Sequence, residues 1–163
     1  MFELVYEPQL GLKQRGPDFA VQFTTSLTFT LEVTRLRPAP QTSLEAAREG
    51  LIEAICSKLG QLVAQQPNVL VIGLDDERFT IDELRSTLLQ LQQRAERSDA
   101  LIIERHRFRD RAEFFQQYGR LSEILVRDRI LQSEARGQAW ANPQARYPLP
   151  SKARTALYRS QNI

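Results

Sequence analysis

The sequence predicts an α/β protein: a mixed central sheet flanked by helices, with an antiparallel hairpin at residues 18–36 and a parallel strand at 68–74 reached through a helix at 43–65. Three observations predict it. Residues 18–24 and 28–34 alternate apolar and polar side chains, the period of a half-buried strand. Leu44, Ala47, Leu51, Ile55, Leu59 and Leu62 recur at helical spacing. The run NVLVIGL at 68–74 is almost wholly apolar and partly β-branched, as a strand covered on both faces must be. A strand, a helix and a strand in that order close as a right-handed parallel unit.

Taken in order, residues 2–7 read as a short strand broken by Pro8, and Gln9 to Gly16 as a polar loop with two glycines. In the hairpin, Thr25, Ser26 and Leu27 suit a short loop. Phe29, Leu31 and Val33 share one face of the second arm, and Thr28, Thr30, Glu32 and Thr34 the other. Asp18 lies on the polar face of the first arm with Ala20, Gln22 and Thr24. Pro38 and Pro40 stop the strand, because proline cannot donate to a ladder. Thr42-Ser43-Leu44-Glu45 has the form of a capping box with Thr42 as N-cap, and the helix it opens should run to about Gln65, before Pro67.

Residues 80–97 form a second amphipathic helix, striped by Ile81, Leu84, Leu88, Leu91 and Ala95. Residues 100–103 read as a short strand, 110–118 as a short helix and 121–126 as a strand. From Gly137 the composition changes, with Pro143, Pro148 and Pro150 punctuating a stretch that holds Trp140, Tyr147 and Tyr158. The expected organisation is one α/β domain over 1–136 and a proline-containing arm over 137–163. The arm is expected to pack back on the domain, since its aromatic rings would otherwise leave apolar surface in water.

At 163 residues, with 26% charged and 42% hydrophobic side chains, the chain is long enough to bury a core and too apolar to be disordered. The net charge of +2 does not by itself imply a polyanionic partner. Of its 22 basic residues only Lys13, Lys58 and Lys152 are lysine; arginine suits bidentate phosphate contacts, and compositional bias gives the same excess. One cysteine, Cys56, excludes an internal disulfide and a cysteine-rich zinc site, and one histidine, His106, excludes a multi-histidine site. There is no P-loop, no G-x-G-x-x-G and no nucleophile elbow. The absence of a long apolar run and of a secretory signal predicts a cytoplasmic protein without a membrane partner.

The chemistry centres on Asp18 and Glu32. If the hairpin arms pair with polar faces together, two carboxylates meet over a surface of hydroxyls and amides, a donor set for a hard divalent cation. A local reading stands beside it: Asp18 capping a turn after Pro17, and Glu32 solvated on a strand where glutamate is disfavoured.

Pro17-Asp18, a strand, and then Glu32-Val33-Thr34 resemble the PD-(D/E)XK nuclease-like superfamily, whose fold is restriction-endonuclease-like, over roughly residues 1–75. The hairpin, long helix and apolar strand follow in that family's order. The resemblance implies phosphodiester hydrolysis on nucleic acid, with magnesium (manganese as substitute) held by Asp18, Glu32 and the Val33 carbonyl. Thr34 stands where the family has its lysine, and a neutral hydroxyl cannot replace an ammonium. Lys58, at the edge of the helix's apolar stripe, is the candidate replacement, or else a lysine that snorkels to water. Gln61 resembles a glutamine often found on that helix. The family's leading helix has no counterpart here, so another element or a second subunit should cover that side, and a homodimer is predicted. Arg105, Arg107 and Arg109, with Phe108 among them, either grip phosphates while the ring stacks on a base or form a solvated, salt-bridged edge. The functional alternative is a catalytically degenerate nuclease-like domain acting as a binding or assembly module, which Thr34 favours.

Overall fold

A computed structural model of the protein describes residues 3–6, 16–39, 41–74, 76, 78–127 and 138–159. Six strands are present among them: β1 (Glu3–Tyr6), β2 (Phe19–Thr24), β3 (Leu27–Leu36), β4 (Asn68–Leu74), β5 (Leu121–Arg127) and β6 (Gln138–Ala141). The helices are α1 (Leu44–Leu59), α2 (Ile81–Glu96), α3 (Ala100–Ile103), α4 (Arg111–Tyr118) and α5 (Ser151–Arg159). All six strands join one mixed sheet in chain order. β1, β2 and β3 are antiparallel neighbours, β3, β4 and β5 are parallel, and β6 returns antiparallel to β5. The expected α/β class, hairpin and parallel crossover are all present.

Alternation sets the faces. In β4, Leu70, Ile72 and Leu74 point into a core with α1, α2, α3 and α4, while Val69 and Val71 point into a second core with α5. The first core buries Leu51, Ile55, Leu59, Leu84, Leu88, Leu91, Phe114 and Tyr118 almost completely. Truncating any one of its leucines to alanine costs about 2–5 kcal/mol. The second core gathers Val21, Phe29 and Leu125 beneath Leu149, Ala153 and Leu157.

Several boundaries differ from the sequence expectation, for local reasons. Ser43, not Thr42, caps α1: its side chain accepts from the Ala46 N–H at 3.1 Å. The helix ends at Leu59 rather than near Gln65, because Asn68 claims the following loop. The buried Asn68 amide accepts from the Val63 N–H at 2.9 Å and donates to the carbonyls of Val63, Gln66 and Arg120. Gln65 adopts a φ of 67°, which no helix can continue through. Residues 100–103 form a helical turn capped by Asp99, not a strand. An apolar run of four residues carries too little periodicity to separate the two.

Residues 138–159 form a strand and a helix, and the helix sets Ala153 and Leu157 in the second core. Trp140 sits partly buried, 6.4 Å from the Tyr118 ring, whereas Tyr147 stays exposed. No helix among the described residues is long and apolar enough to cross a membrane.

Candidate functional site

The β2–β3 register places Phe19 opposite Leu31 and Ala20 opposite Thr30, so its next step sets Asp18 opposite Glu32. Side chains opposite one another in an antiparallel pair leave the sheet on the same face. The two acids are tied together at the point where β2 begins. The Asp18 N–H donates to Glu32 Oε2 at 3.1 Å, and the Val33 N–H donates to Asp18 Oδ2 at 2.8 Å. Within an extended residue the N–H and C=O leave by the same strand edge. The Val33 carbonyl therefore points toward the edge at which β2 starts, beside Asp18.

Glu32 is not a solvated strand residue. It lies under α1 with 1% of its surface exposed, where an ionised carboxylate needs a partner charge. Lys58, in the last turn of α1, supplies it: its ammonium donates to Glu32 Oε1, with the side chain 16% exposed. Of the two directions open to this lysine, the ammonium turns toward the sheet. Thr34 follows Glu32 on the same face, half-buried, and Thr30 precedes it, donating to Asn68 Oδ1 at 2.6 Å.

The donor set is oxygen from two carboxylates and one carbonyl. No group of three or more His, Cys, Asp or Glu side chains forms among the described residues. Those donors fit magnesium, which is held by one or two carboxylates and completes its octahedron with waters and substrate oxygens. They do not fit zinc, which asks for imidazole or thiolate.

Gln61 is placed one turn beyond Lys58. Its Nε2 donates to the Ser57 carbonyl at 3.4 Å, and its buried Oε1 has no hydrogen-bond partner among the described residues. The arginine run lies elsewhere. Arg105 pairs with Glu53 of α1 at 3.1 Å, and Glu53 is five residues from Lys58, about 140° around the helix. Arg107 is exposed with a φ of 59°, and Arg109 pairs with Asp110 at 3.2 Å. Phe108 is buried edge-on against Phe114, with ring centroids 5.3 Å apart. As a core ring it offers no platform for a base, and the pairs of Arg105 and Arg109 accord with the salt-bridged edge, the other of the two readings. His106 is also tucked in, its Nε2 3.8 Å from Glu53, and burial holds its imidazole below the usual pKa despite that carboxylate.

The sequence reading missed a second buried acid. Glu123 of β5 has no exposed surface and faces α5, opposite to the face of Glu32. Arg154 donates to one of its oxygens and the Tyr158 hydroxyl to the other at 2.7 Å. Burial first, and then the bond to Glu123, push the Tyr158 phenol well above its ordinary pKa. The available signal was an acid inside the apolar run LSEILV followed by an Arg and a Tyr four residues apart.

Comparison with known proteins finds no matching family model, no matching curated protein and no matching solved structure.

Proposed function

We propose that Asp18, Glu32 and Lys58 form the active site of a magnesium-dependent nuclease of the PD-(D/E)XK type. The observation that carries the reading is the Lys58 ammonium on the Glu32 carboxylate, whose other oxygen receives the Asp18 N–H. An antiparallel hairpin, a helical crossover and a parallel strand present these groups in that family's order. On this reading the helix lysine supplies the cation that Thr34 lacks.

A divalent ion bound there supplies an activated water and neutralises charge on the phosphate. The chain's own residues do the rest. The Val33 N–H fixes the Asp18 carboxylate, and the Asp18 N–H fixes that of Glu32, so both acids are aimed before any ligand arrives. Lys58 provides a positive charge for oxygen atoms that become more negative as the phosphodiester breaks.

A second reading, a non-catalytic binding or assembly module, is favoured by one observation: Glu32 is buried and already paired, an arrangement that can exist for structure alone. Cleavage assays separate the two. On the nuclease reading, wild type degrades single- or double-stranded DNA or RNA only with magnesium or manganese, and Asp18→Asn and Glu32→Gln abolish it. Wild type inert on every substrate, or cleavage unchanged in both variants, removes the nuclease assignment.

A further inference from the structure

Resting on the metal-site reading above, we infer that Lys58 is a place-holder on the Glu32 carboxylate that a divalent ion displaces. Both Glu32 oxygens are occupied, one by the Lys58 ammonium and one by the Asp18 N–H at 3.1 Å. The residue is 1% exposed, and the ammonium is the charge that faces its carboxylate there. A divalent ion shared with Asp18 would lie within a few ångströms of that ammonium. Two cations cannot crowd one buried carboxylate without strong repulsion, so the ion and Lys58 compete for it.

Lys58 is built to yield. Its stem is flexible, and its side chain retains 16% exposure, an exit for the ammonium that Glu32 lacks. Once displaced, the ammonium would be free to pair with a phosphate oxygen in place of Glu32. One contact thus serves two states: it gives a buried acid its counter-charge in the resting protein, and its rupture arms the site. Binding of the ion and the Lys58–Glu32 contact are coupled with opposite sign, and the coupling is reciprocal.

The test measures manganese affinity of the full chain by electron paramagnetic resonance for wild type, Lys58→Met and Lys58→Arg. Lys58→Met keeps the stem and removes the charge, so it should bind manganese about 5- to 150-fold more tightly, the usual span of such couplings. Lys58→Arg should stay near wild type. A second readout needs no variant that must fold: the chain has three lysines, and saturating magnesium should shift the side-chain carbon resonance of Lys58 in wild type. Tighter binding by Lys58→Met with a shifted Lys58 signal supports the exchange. Equal affinities, or a Lys58 signal unmoved at saturation, overturn it and leave the metal site standing. No binding by any of the three proteins overturns the metal-site reading itself.

Discussion

The guanidinium of Arg154 donates to the carboxylate of Glu123, joining the C-terminal helix α5 to the innermost surface of β5. Glu123 has no exposed surface, whereas one third of the Arg154 side chain reaches water. Removing the arginine therefore leaves a buried acid with Tyr158 as its one side-chain partner among the described residues. Arg154→Met should cost about 2 kcal/mol, and Tyr158→Phe about 1 kcal/mol, the ordinary values for a bond to a charged group and for a weaker hydroxyl bond. Urea denaturation measures both. A loss below a few tenths of a kcal/mol in both variants would show that the triad does not hold α5.

Lys58→Ala should lower magnesium-dependent cleavage by about 100- to 1,000-fold, the usual cost of one preorganised donor at a reacting centre. Thr34→Lys, made in the Lys58→Ala background, should recover part of the rate by returning an ammonium to the face that Glu32 shares. Steady-state rates on one oligonucleotide decide this. Undiminished cleavage by Lys58→Ala would defeat the role given to the helix lysine.

His106 predicts an acid-side loss of stability. Its native pKa lies below the ordinary 6.5 because it is buried, and the positive Arg105 adds to the shift while Glu53 opposes it. Below pH 6.5 the unfolded chain then binds a proton that the native chain resists, so stability falls as pH drops through that window. Urea midpoints measured from pH 7.5 to 5.5 should slope more steeply for wild type than for His106→Gln. Identical slopes would contradict the shift.

Cys56 is buried on α1, and its thiol is pushed up to about 12 by burial, with Glu53 adding to the effect. Thiolate is the reactive form. A maleimide at pH 8 should leave the native protein unlabelled over minutes and label it stoichiometrically in denaturing urea. Prompt labelling in native buffer would mean that α1 opens far more readily than its packing implies.

The β1 edge carries the remaining prediction. β1 is four residues long at one end of the sheet, and Val5 and Tyr6 are exposed there at 48% and 65%. Among the described residues no strand pairs with the outer side of β1; a sheet edge invites pairing, and a homodimer is expected by light scattering at tens of micromolar. A monomer mass at that concentration, or a dimer mass unchanged by Val5→Lys, would dismiss pairing through β1.

Much of this was written in local pattern. Two-residue alternation gave β2 and β3 their faces, and with them the meeting of Asp18 and Glu32, because register carries every side chain to a fixed side. Strand β4 falls at the bounds read from its apolar run. Other features depended on distant partners. The early end of α1 is set by the Asn68 amide, which no periodicity announces. Helix α5 buries only Ala153 and Leu157 along its length, too sparse a stripe to stand out from a polar segment. Lys58 sat at the boundary of a helical face, where spacing fixes the position of Cα but not the direction of a four-carbon side chain. Phe108 looked available because its neighbours are basic, and only the packing of Phe114 against it shows otherwise.

A sheet whose spatial order repeats its chain order is also a schedule for synthesis. Each new strand leaving the ribosome finds its edge already made, so nothing has to be inserted between earlier strands. The helices of the first core are likewise complete before β6 exists. The opposite face is completed last: among the described residues, Leu149, Ala153 and Leu157, which pack with Val21, Phe29, Val69 and Leu125, all follow the final strand. A chain halted before residue 151 would therefore lack Ala153 and Leu157, and the second core would close only with the last of these elements.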